Sequence, residues 1–363
     1  MKRIFLITVF FAGIFVSGNA SVVNMLDACD DNCELTSEEE EYKGPLNIEL
    51  GTRLDYQREY LDGDAIREHN GFRGKYLMLV INGNIGKKFA YSYRQRLNEL
   101  KKDQSFFDGI DFMNLTYKFN PRWDVTAGKM ALAVGSWEYD RNPMYVYNFS
   151  EWLNYLSCFK FGVSVGYNVT GKDRLVAQVT ESPFNQKNDL YGYHLAWFGN
   201  HDWLHTIYSA NVLEYRPGKF IYYLCLGHRL ELNRWTVELD YVNRATERHA
   251  FFFKDCSVVG EVAYAPSSHW SILAKGSYTV NNSHDASDVC VMPGTEISQV
   301  TGGVEFFPLK GGNRAIRFHA ICGYNFGTNT KADAVVQDKQ LIMSAGVQFN
   351  MDLVKLVKNI CKR

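Results

Sequence analysis

Residues 46–57 read LNIELGTRLDYQ, and this stretch decides the fold. Its even positions are apolar apart from Thr52, and its odd positions are polar or glycine. A period of two is typical of a β-strand with one apolar face. Soluble strands usually run for five or six residues, whereas a tilted membrane-spanning strand needs about nine to eleven. The stretch therefore predicts an amphipathic strand that crosses a membrane.

The same alternation returns along the chain, and aromatic residues fall at the ends of the apolar faces. The clearest repeats are residues 89–96, 113–119, 235–241, 270–278, 316–325 and 341–351. Aromatic girdles at both interfaces are typical of outer-membrane barrels. Sixteen such segments are separated by links that are alternately short and long, with the fifth long link as an exception. We therefore predict an all-β fold over residues 46–351: a transmembrane antiparallel β-barrel of about 16 strands, with short periplasmic turns and long external loops.

Composition agrees with this fold and excludes other classes. Aromatic residues make up 15 % of the chain, yet the mean hydropathy is −0.25. Beyond residue 20 no apolar run reaches the roughly 18 residues of a transmembrane helix, and only helices and closed barrels satisfy their backbone in lipid. The net charge of −1 gives no argument for nucleic-acid binding, which usually needs a basic patch.

The regions outside the barrel have their own signatures. Residues 1–20 have a basic start, an apolar run at 4–16 and the small residues Gly18 and Ala20, which predicts a cleavable signal peptide rather than an anchor helix. Residues 21–45 are acidic and read as a periplasmic N-terminal tether. In the C-terminal tail, residues 352–363, the apolar period becomes helical. Two alternatives remain for this tail: a short helix on the inner leaflet, or a frayed polar end.

Basic residues at inward-facing positions are the first candidate site. Strand parity places several of them on the first three strands, and the predicted pore-lining set is Arg53, Arg73, Lys75, Arg94 and Arg96. Ladders of Arg and Lys favour anions in a pore because they stabilise a partly dehydrated anion. The alternative is that these side chains pair with nearby carboxylates and only stiffen the wall.

The longest external link, near residues 130–159, is the second candidate site. A sixteen-stranded barrel leaves a channel too wide to discriminate by itself. We expect this loop to fold into the lumen as a constriction loop carrying Trp137, Glu138, Asp140 and Arg141. An outward surface loop is the alternative.

Other chemistry is weakly represented. The eight cysteines contain no CxxC pair, so neither a metal nor a cofactor is expected. Cys29 and Cys33 could form a local bridge, and Cys158, Cys256 and Cys290 could tie loops together. No catalytic residue is assigned, because no nucleophile elbow or metalloprotease motif occurs.

Several motifs resemble the phosphate-selective porin O and P family, in particular porins of Bacteroides-type bacteria. They are Gly74-Lys75-Tyr76-Leu77, Arg94-Gln95-Arg96-Leu97, Phe106-Phe107 with Gly109-Ile110-Asp111, Gly128-Lys129, Gly135-Ser136-Trp137-Glu138-Tyr139-Asp140 and Ser182-Pro183. The resemblance implies a sixteen-stranded, often trimeric diffusion porin, and the family name suggests anion or phosphate preference. The final strand, Ser344 to Met351, also resembles the signal read by the outer-membrane insertion machinery, although the chain continues past it.

These observations lead to one functional hypothesis and two rivals. We expect a porin in the outer membrane of a Gram-negative bacterium, through which small hydrophilic solutes diffuse passively, with a bias toward anions. Its expected partners are those solutes, outer-membrane lipid, the insertion machinery and two further copies in a homotrimer. The rivals are a structural or surface-interaction barrel with a plugged lumen, and an outer-membrane hydrolase.

Overall fold

The computed structural model describes residues 44–99, 106–184, 189–246, 253–283, 286–310 and 313–361. Sixteen long strands form its framework. They are β1 (Asn47–Leu61), β2 (Gly71–Ile85), β3 (Phe89–Arg96), β4 (Ile110–Asn120), β5 (Trp123–Ala131), β6 (Phe159–Asn168), β7 (Asp173–Glu181), β8 (Tyr191–His201), β9 (Leu204–Arg216), β10 (Lys219–Leu232), β11 (Trp235–Thr246), β12 (Asp255–Ser267), β13 (Trp270–Asn281), β14 (Glu296–Phe306), β15 (Ile316–Thr328) and β16 (Gln340–Asp352). A two-residue strand, Asp64–Ala65, extends the first hairpin. The predicted signal peptide and most of the predicted tether lie outside the described residues.

The sheet is closed by its first and last strands. Each strand pairs antiparallel with its sequence neighbours, and β1 pairs with both β2 and β16. Gly51 of β1, for example, lies opposite Met78 on one side and Asn350 on the other. The prediction of an antiparallel barrel of about 16 strands is confirmed.

The links between strands differ in length at the two ends of the barrel. The short-turn end of the barrel is defined by links 86–88, 121–122, 169–172, 202–203, 233–234, 268–269 and 307–315. Strand β1 begins and strand β16 ends at this end of the barrel. The long-loop end of the barrel is defined by links 62–70, 97–109, 132–158, 182–190, 217–218, 247–254, 282–295 and 329–339. The fifth of these, 217–218, is the expected exception, and Gly218 adopts the left-handed φ of +66° that this tight turn requires. On the other side, 307–315 is longer than the short link predicted there.

The two faces of the sheet carry opposite chemistry. On β13, Trp270 and Ile272 are 47 % and 48 % exposed, whereas Ser271 and Lys275 are buried. The same inversion of soluble-protein burial holds along β1, where Leu54 is exposed and Arg53 and Asp55 are buried. Apolar residues therefore face outward and polar residues face inward, as in an outer-membrane barrel.

Three short helices complete the described chain. Helices α1 (Trp137–Asp140) and α2 (Glu151–Tyr155) belong to the link between β5 and β6. The tail forms α3 (Leu353–Cys361), one of the two alternatives that its sequence left open; Asp352 Oδ1 accepts a hydrogen bond from Lys355 N at its start (2.7 Å). Single 3₁₀ turns lie at Arg67–His69, Leu97–Glu99, Phe106–Gly109 and Pro143–Tyr145. In the part of the chain that is described, no helix is both long and apolar enough to cross a membrane.

Candidate functional site

Residues 132–158, the inner loop, leave the end of β5 and run inside the barrel. A carboxylate on the wall holds their first helical turn: Asp240 of β11 accepts hydrogen bonds from Ser136 Oγ (2.8 Å), Trp137 N (2.9 Å) and Glu138 N (3.0 Å). The first backbone N–H groups of a helix have no partner within the helix. The Asp240 carboxylate, on the opposite wall, supplies the acceptor for these N–H groups and so fixes the position of α1.

Ion pairs fix the next part of the inner loop against strands β11–β13. Glu138 accepts a hydrogen bond from Lys275 Nζ (2.6 Å), which also donates to the carbonyl oxygens of Tyr147 (3.1 Å) and Asn148 (3.0 Å). Arg141 pairs with Glu238, and with Glu261 at 2.8 Å. These charges are compensated locally, so the loop is held in one place without leaving an isolated buried charge.

The inner loop also reaches the wall formed by β1 and β15. The guanidinium groups of Arg53 and Arg317 both donate to Met144 O, at 3.3 and 3.0 Å. Gly51 has no side chain at this point, and a Cβ built there would lie 2.6 Å from Met144 Cε. A notch in the wall therefore accommodates the Met144 side chain.

A hydrophobic core lies inside the barrel, between the inner loop and strands β9–β11. Trp152 of α2 is fully buried in it and stacks beside Tyr139, with ring centroids 6.5 Å apart. The other buried members are Leu132, Val134, Leu153 and Leu156 of the inner loop, Leu213, Ile221, Tyr223, Cys225 and Val242 of the wall, and Cys290 and Val291 of link 282–295. This part of the lumen is closed by close packing.

The link 282–295 is tied to the same core by a buried charge cluster. Arg244 Nε pairs with Asp288 of the link (2.7 Å), and its Nη2 pairs with Asp255 of β12 (2.8 Å). Asp288 Oδ1 also accepts hydrogen bonds from Cys290 N and Val291 N. A second long link is therefore folded inward beside the inner loop.

The link 329–339 covers α2 through a buried carboxyl group. Glu151 has no exposed surface, and its Oε1 accepts a hydrogen bond from Asn329 Nδ2 (2.7 Å). Its Oε2 finds no hydrogen-bond partner among the described residues. Burial raises the pKa of the Glu151 carboxyl to about 7, although Asn329 and Lys331 act in the opposite direction.

The rest of the lumen is a cavity of about 1560 Å³ between the inner loop and strands β2–β7. Its lining includes Pro121 and Gly171 at the short-turn end and Phe107, Asp108 and Glu181 at the long-loop end. The cavity, hereafter the passage, therefore runs along the barrel axis from one end to the other. It is off-centre, because the inner loop and the hydrophobic core occupy the opposite side.

Two of the predicted pore-lining residues line the passage. Arg94 and Arg96 share one carboxylate, Asp111, with Arg94 Nε 3.0 Å from its Oδ2 and Arg96 Nη2 2.9 Å from its Oδ1. Arg53 lies under the inner loop instead, paired with Asp55 (2.7 Å). The remaining two predicted residues are not among the described lining residues: Arg73 donates to Glu68 O in the first long link, and Lys75 follows the bulge of β2 near Arg53.

Three of the four predicted constriction residues also line the passage, and the fourth does not. Glu138, Asp140 and Arg141 line the passage. Trp137 is buried against the wall, with the Arg229 guanidinium 4.9 Å from its ring centroid. The role of the loop as a constriction stays a prediction.

Sequence parity missed other lining residues. Lys129 lines the passage directly after Gly128, which has a φ of +126° and at which a Cβ would lie 2.2 Å from Met113 O. Gly128 was the available signal, since glycine within a strand often marks a close approach of another backbone segment. Lys160, at the start of β6, and Arg122, in a turn, also line the passage.

Thiol and metal chemistry adds nothing to this site. Cys158, Cys225, Cys256, Cys290 and Cys322 are free thiols, so the three loop cysteines do not tie the loops together; Cys29 and Cys33 lie outside the described residues. Among the described residues, no group of three or more His, Cys, Asp or Glu side chains is placed to hold a metal ion.

Solved structures with the same fold are outer-membrane proteins. The anion-selective porin from Comamonas acidovorans superposes with a TM-score of 0.59 at 10 % identity, covering 84 % of this chain and 99 % of that one. OmpT of Vibrio cholerae gives 0.57 at 13 % identity, with 84 % and 97 % covered. The outer membrane channel DcaP of Acinetobacter baumannii gives 0.56 at 11 % identity, with 84 % and 96 % covered. At these identities the likeness concerns the fold.

Sequence comparison matches the first part of the barrel to a known family. No curated protein sequence matches the chain significantly. Residues 46–217, which span β1 to the end of β9, match the sequence model of the family described as phosphate-selective porin O and P. The resemblance first drawn from the motifs is therefore confirmed over these residues, and the barrel is an outer-membrane channel.

Proposed function

We propose that the passage conducts small hydrophilic solutes by passive diffusion, with a bias toward anions. The observation that carries this proposal is the course of the passage, which follows strands β2–β7 from the short turns to the long loops. A cavity of this extent in a barrel with a lipid-facing apolar exterior is suited to solute movement across the membrane. We assign no catalytic step to it.

The charges along the passage support an anion bias. Among the residues that the structure describes, the lining carries eight Arg and Lys residues, namely Arg94, Arg96, Lys118, Arg122, Lys129, Arg141, Lys160 and Arg174, and six acidic ones, namely Asp108, Asp111, Asp124, Glu138, Asp140 and Glu181. At the centre of this set, two guanidinium groups, those of Arg94 and Arg96, contact the single carboxylate of Asp111. A surplus of fixed positive charge lowers the energy of an anion that has lost part of its hydration.

The inner loop sets the size limit in this proposal. It supplies one side of the passage through Glu138, Asp140 and Arg141, and its other side is anchored to the wall. A loop fixed at both helices leaves an aperture of constant width, which is what a diffusion channel needs for a defined exclusion limit.

The test is the reversal potential of purified, refolded protein in a planar bilayer under a potassium chloride gradient. The wild type should give steady conductance steps with a reversal potential on the chloride side. Arg94→Gln with Arg96→Gln should move it toward potassium, whereas Asp111→Asn should move it further toward chloride. Arg73→Gln is the matched control and should leave the potential unchanged, since this arginine, near the start of β2, donates to Glu68 O of the first long link and is not among the described lining residues.

The rival function is a barrel with a plugged lumen that serves as a structural or surface-interaction protein. The hydrophobic core inside the barrel is the observation in its favour. If folded, heat-modifiable protein gives no conductance, the channel proposal is wrong and this rival takes its place.

We also propose the surroundings of the channel. A signal peptide ending at Ala20 would be removed on export, and mass spectrometry of the mature N-terminus tests this. A homotrimer in outer-membrane lipid, delivered by the insertion machinery, is suggested by the family; one of the similar structures, OmpT of Vibrio cholerae, is described in a trimer form. Chemical cross-linking of the folded protein in detergent should then give a three-chain product.

A further inference from the structure

The passage contains phenylalanine side chains where a porin lumen is usually polar. Phe107, Phe112, Phe159 and Phe161 all line it, close to the long-loop end. The Phe112 and Phe159 rings meet edge to face at 5.2 Å, and the Phe107 and Phe161 rings do so at 6.2 Å. Phe107 is 48 % exposed. Apolar side chains that face water in a lumen mark a surface which a solute could cover.

Cationic groups adjoin these rings. The Arg94 guanidinium carbon lies 4.2 Å from the Phe112 ring centroid and 5.1 Å from that of Phe159. Lys129 Nζ lies 6.0 Å from the Phe161 centroid and donates to Phe107 O (2.6 Å). Positive charge and apolar surface are therefore available within the reach of one small molecule.

The inner loop presents apolar side chains to the same passage. Phe149, Leu153 and Leu156, on and beside α2, line it opposite the phenylalanines of the wall. A solute between the two sides would contact hydrocarbon on both, with a guanidinium at its charged end. Binding sites for small organic molecules combine these features: a largely apolar lining with a few placed polar groups.

We infer that the passage binds organic anions with an apolar body, such as aromatic carboxylates, in preference to inorganic or small polar anions of the same charge. The inference rests on the proposed channel function and names its substrate class. The carboxylate would lie near the guanidinium groups of Arg94 and Arg96, beside the Phe112 and Phe159 rings. The ring would cover Phe159 and Phe161, whose water-exposed surface would then be removed from solvent.

The test compares benzoate and acetate as blockers of chloride current through single channels at neutral pH. Both are monovalent carboxylates, and only benzoate has a ring. We expect benzoate to halve the chloride current at a concentration about tenfold lower than acetate, since covering a few tens of Å² of apolar surface has an effect of this order. In Phe159→Ala with Phe161→Ala the ratio should fall toward one, and Phe159→Leu with Phe161→Leu should retain much of it.

The outcomes separate this inference from the proposed function. Anion-biased chloride conductance with equal block by benzoate and acetate would overturn the inference and leave the channel intact. Absence of conductance from folded protein would overturn both. Leu115→Ala, at an exposed lipid-facing position of β4, is the control. If it reduces the benzoate effect as strongly as the phenylalanine variants do, benzoate acts through the bilayer and the inference is wrong.

Discussion

Replacing Trp152 by alanine should widen the passage. Trp152 is fully buried between the inner loop and strands β9–β10, where it contacts the core that includes Tyr139, Leu213 and Ile221. Truncation of a buried tryptophan or phenylalanine to alanine costs about 3–5 kcal/mol, because apolar contacts are lost and a cavity is left behind. Helix α2 has only five residues, so it depends on this packing for its position.

The loss of packing in Trp152→Ala should displace α2 more than α1. Helix α1 is held by the Asp240 carboxylate and by the Glu138–Lys275 ion pair, which Trp152→Ala leaves in place. Leu153 and Leu156, which belong to the same core, also line the passage. Displacement of α2 toward the vacated core would therefore enlarge the passage without releasing the whole loop.

Liposome swelling with neutral sugars of increasing size measures this change. The ratio of the rate for a trisaccharide to that for a monosaccharide should rise in Trp152→Ala. Trp203→Ala is the matched control, since Trp203 is 58 % exposed in the 202–203 turn at the short-turn end. If Trp152→Ala remains heat-modifiable and its swelling ratio equals that of the wild type, the hydrophobic core does not set the width of the passage.

Three further perturbations follow from the anchors of the inner loop. Burial raises the pKa of Glu151 from 4.5 to about 7. The contact between α2 and link 329–339 is therefore fully stable below about pH 4.5 and loses up to about 3 kcal/mol of stability as the pH rises through 7. Open-channel noise should grow between pH 5 and pH 8, and Glu151→Gln should remove this pH dependence. Gly51→Val would crowd Met144 and cost about 1–3 kcal/mol, which lowers the temperature at which the barrel unfolds on a denaturing gel, whereas Gly44→Val, with nothing within 4 Å of its Cβ position, should not. Asp240→Ala leaves the buried backbone N–H groups of Trp137 and Glu138 without their acceptor, at about 1–3 kcal/mol each. A protease should therefore cleave the inner loop faster than in Asp202→Asn, which removes an ion pair with Lys172 at the short-turn end, away from the loop.

The architecture could be predicted from the sequence because each strand carries its own signal. The alternation at 46–57 falls within β1, and that at 341–351 falls within β16. Lipid on one side and water on the other act on every residue according to its parity alone, so no knowledge of partners is needed. The alternating link lengths then give the antiparallel order.

The contents of the lumen could not be predicted in this way. Parity tells which face Asp240 or Lys275 occupies, but not that both approach the inner loop, about one hundred residues or more away in sequence. Parity also fails for Lys129, which directly follows Gly128 and its φ of +126°. An apolar core within a lumen contradicts the rule that inward residues are polar. Val242 and Ile221 are buried there against residues of the inner loop and of link 282–295.

The two parts of the barrel wall serve the passage differently. The described lining residues extend from Tyr76 to Glu181, and all of them lie within residues 46–217, the part that matches the family. Strands β10–β16 lie outside that match, yet they supply Asp240, Lys275 and Arg317, which hold the inner loop from behind. The lining residues thus come from the first part of the chain, whereas the residues that position the loop come from both parts, with Arg53 of β1 beside those of β11–β15. Substitutions in β11–β15 should therefore alter conduction through the position of the inner loop, whereas substitutions in β3 and β4 should alter it directly through the charge beside the solute.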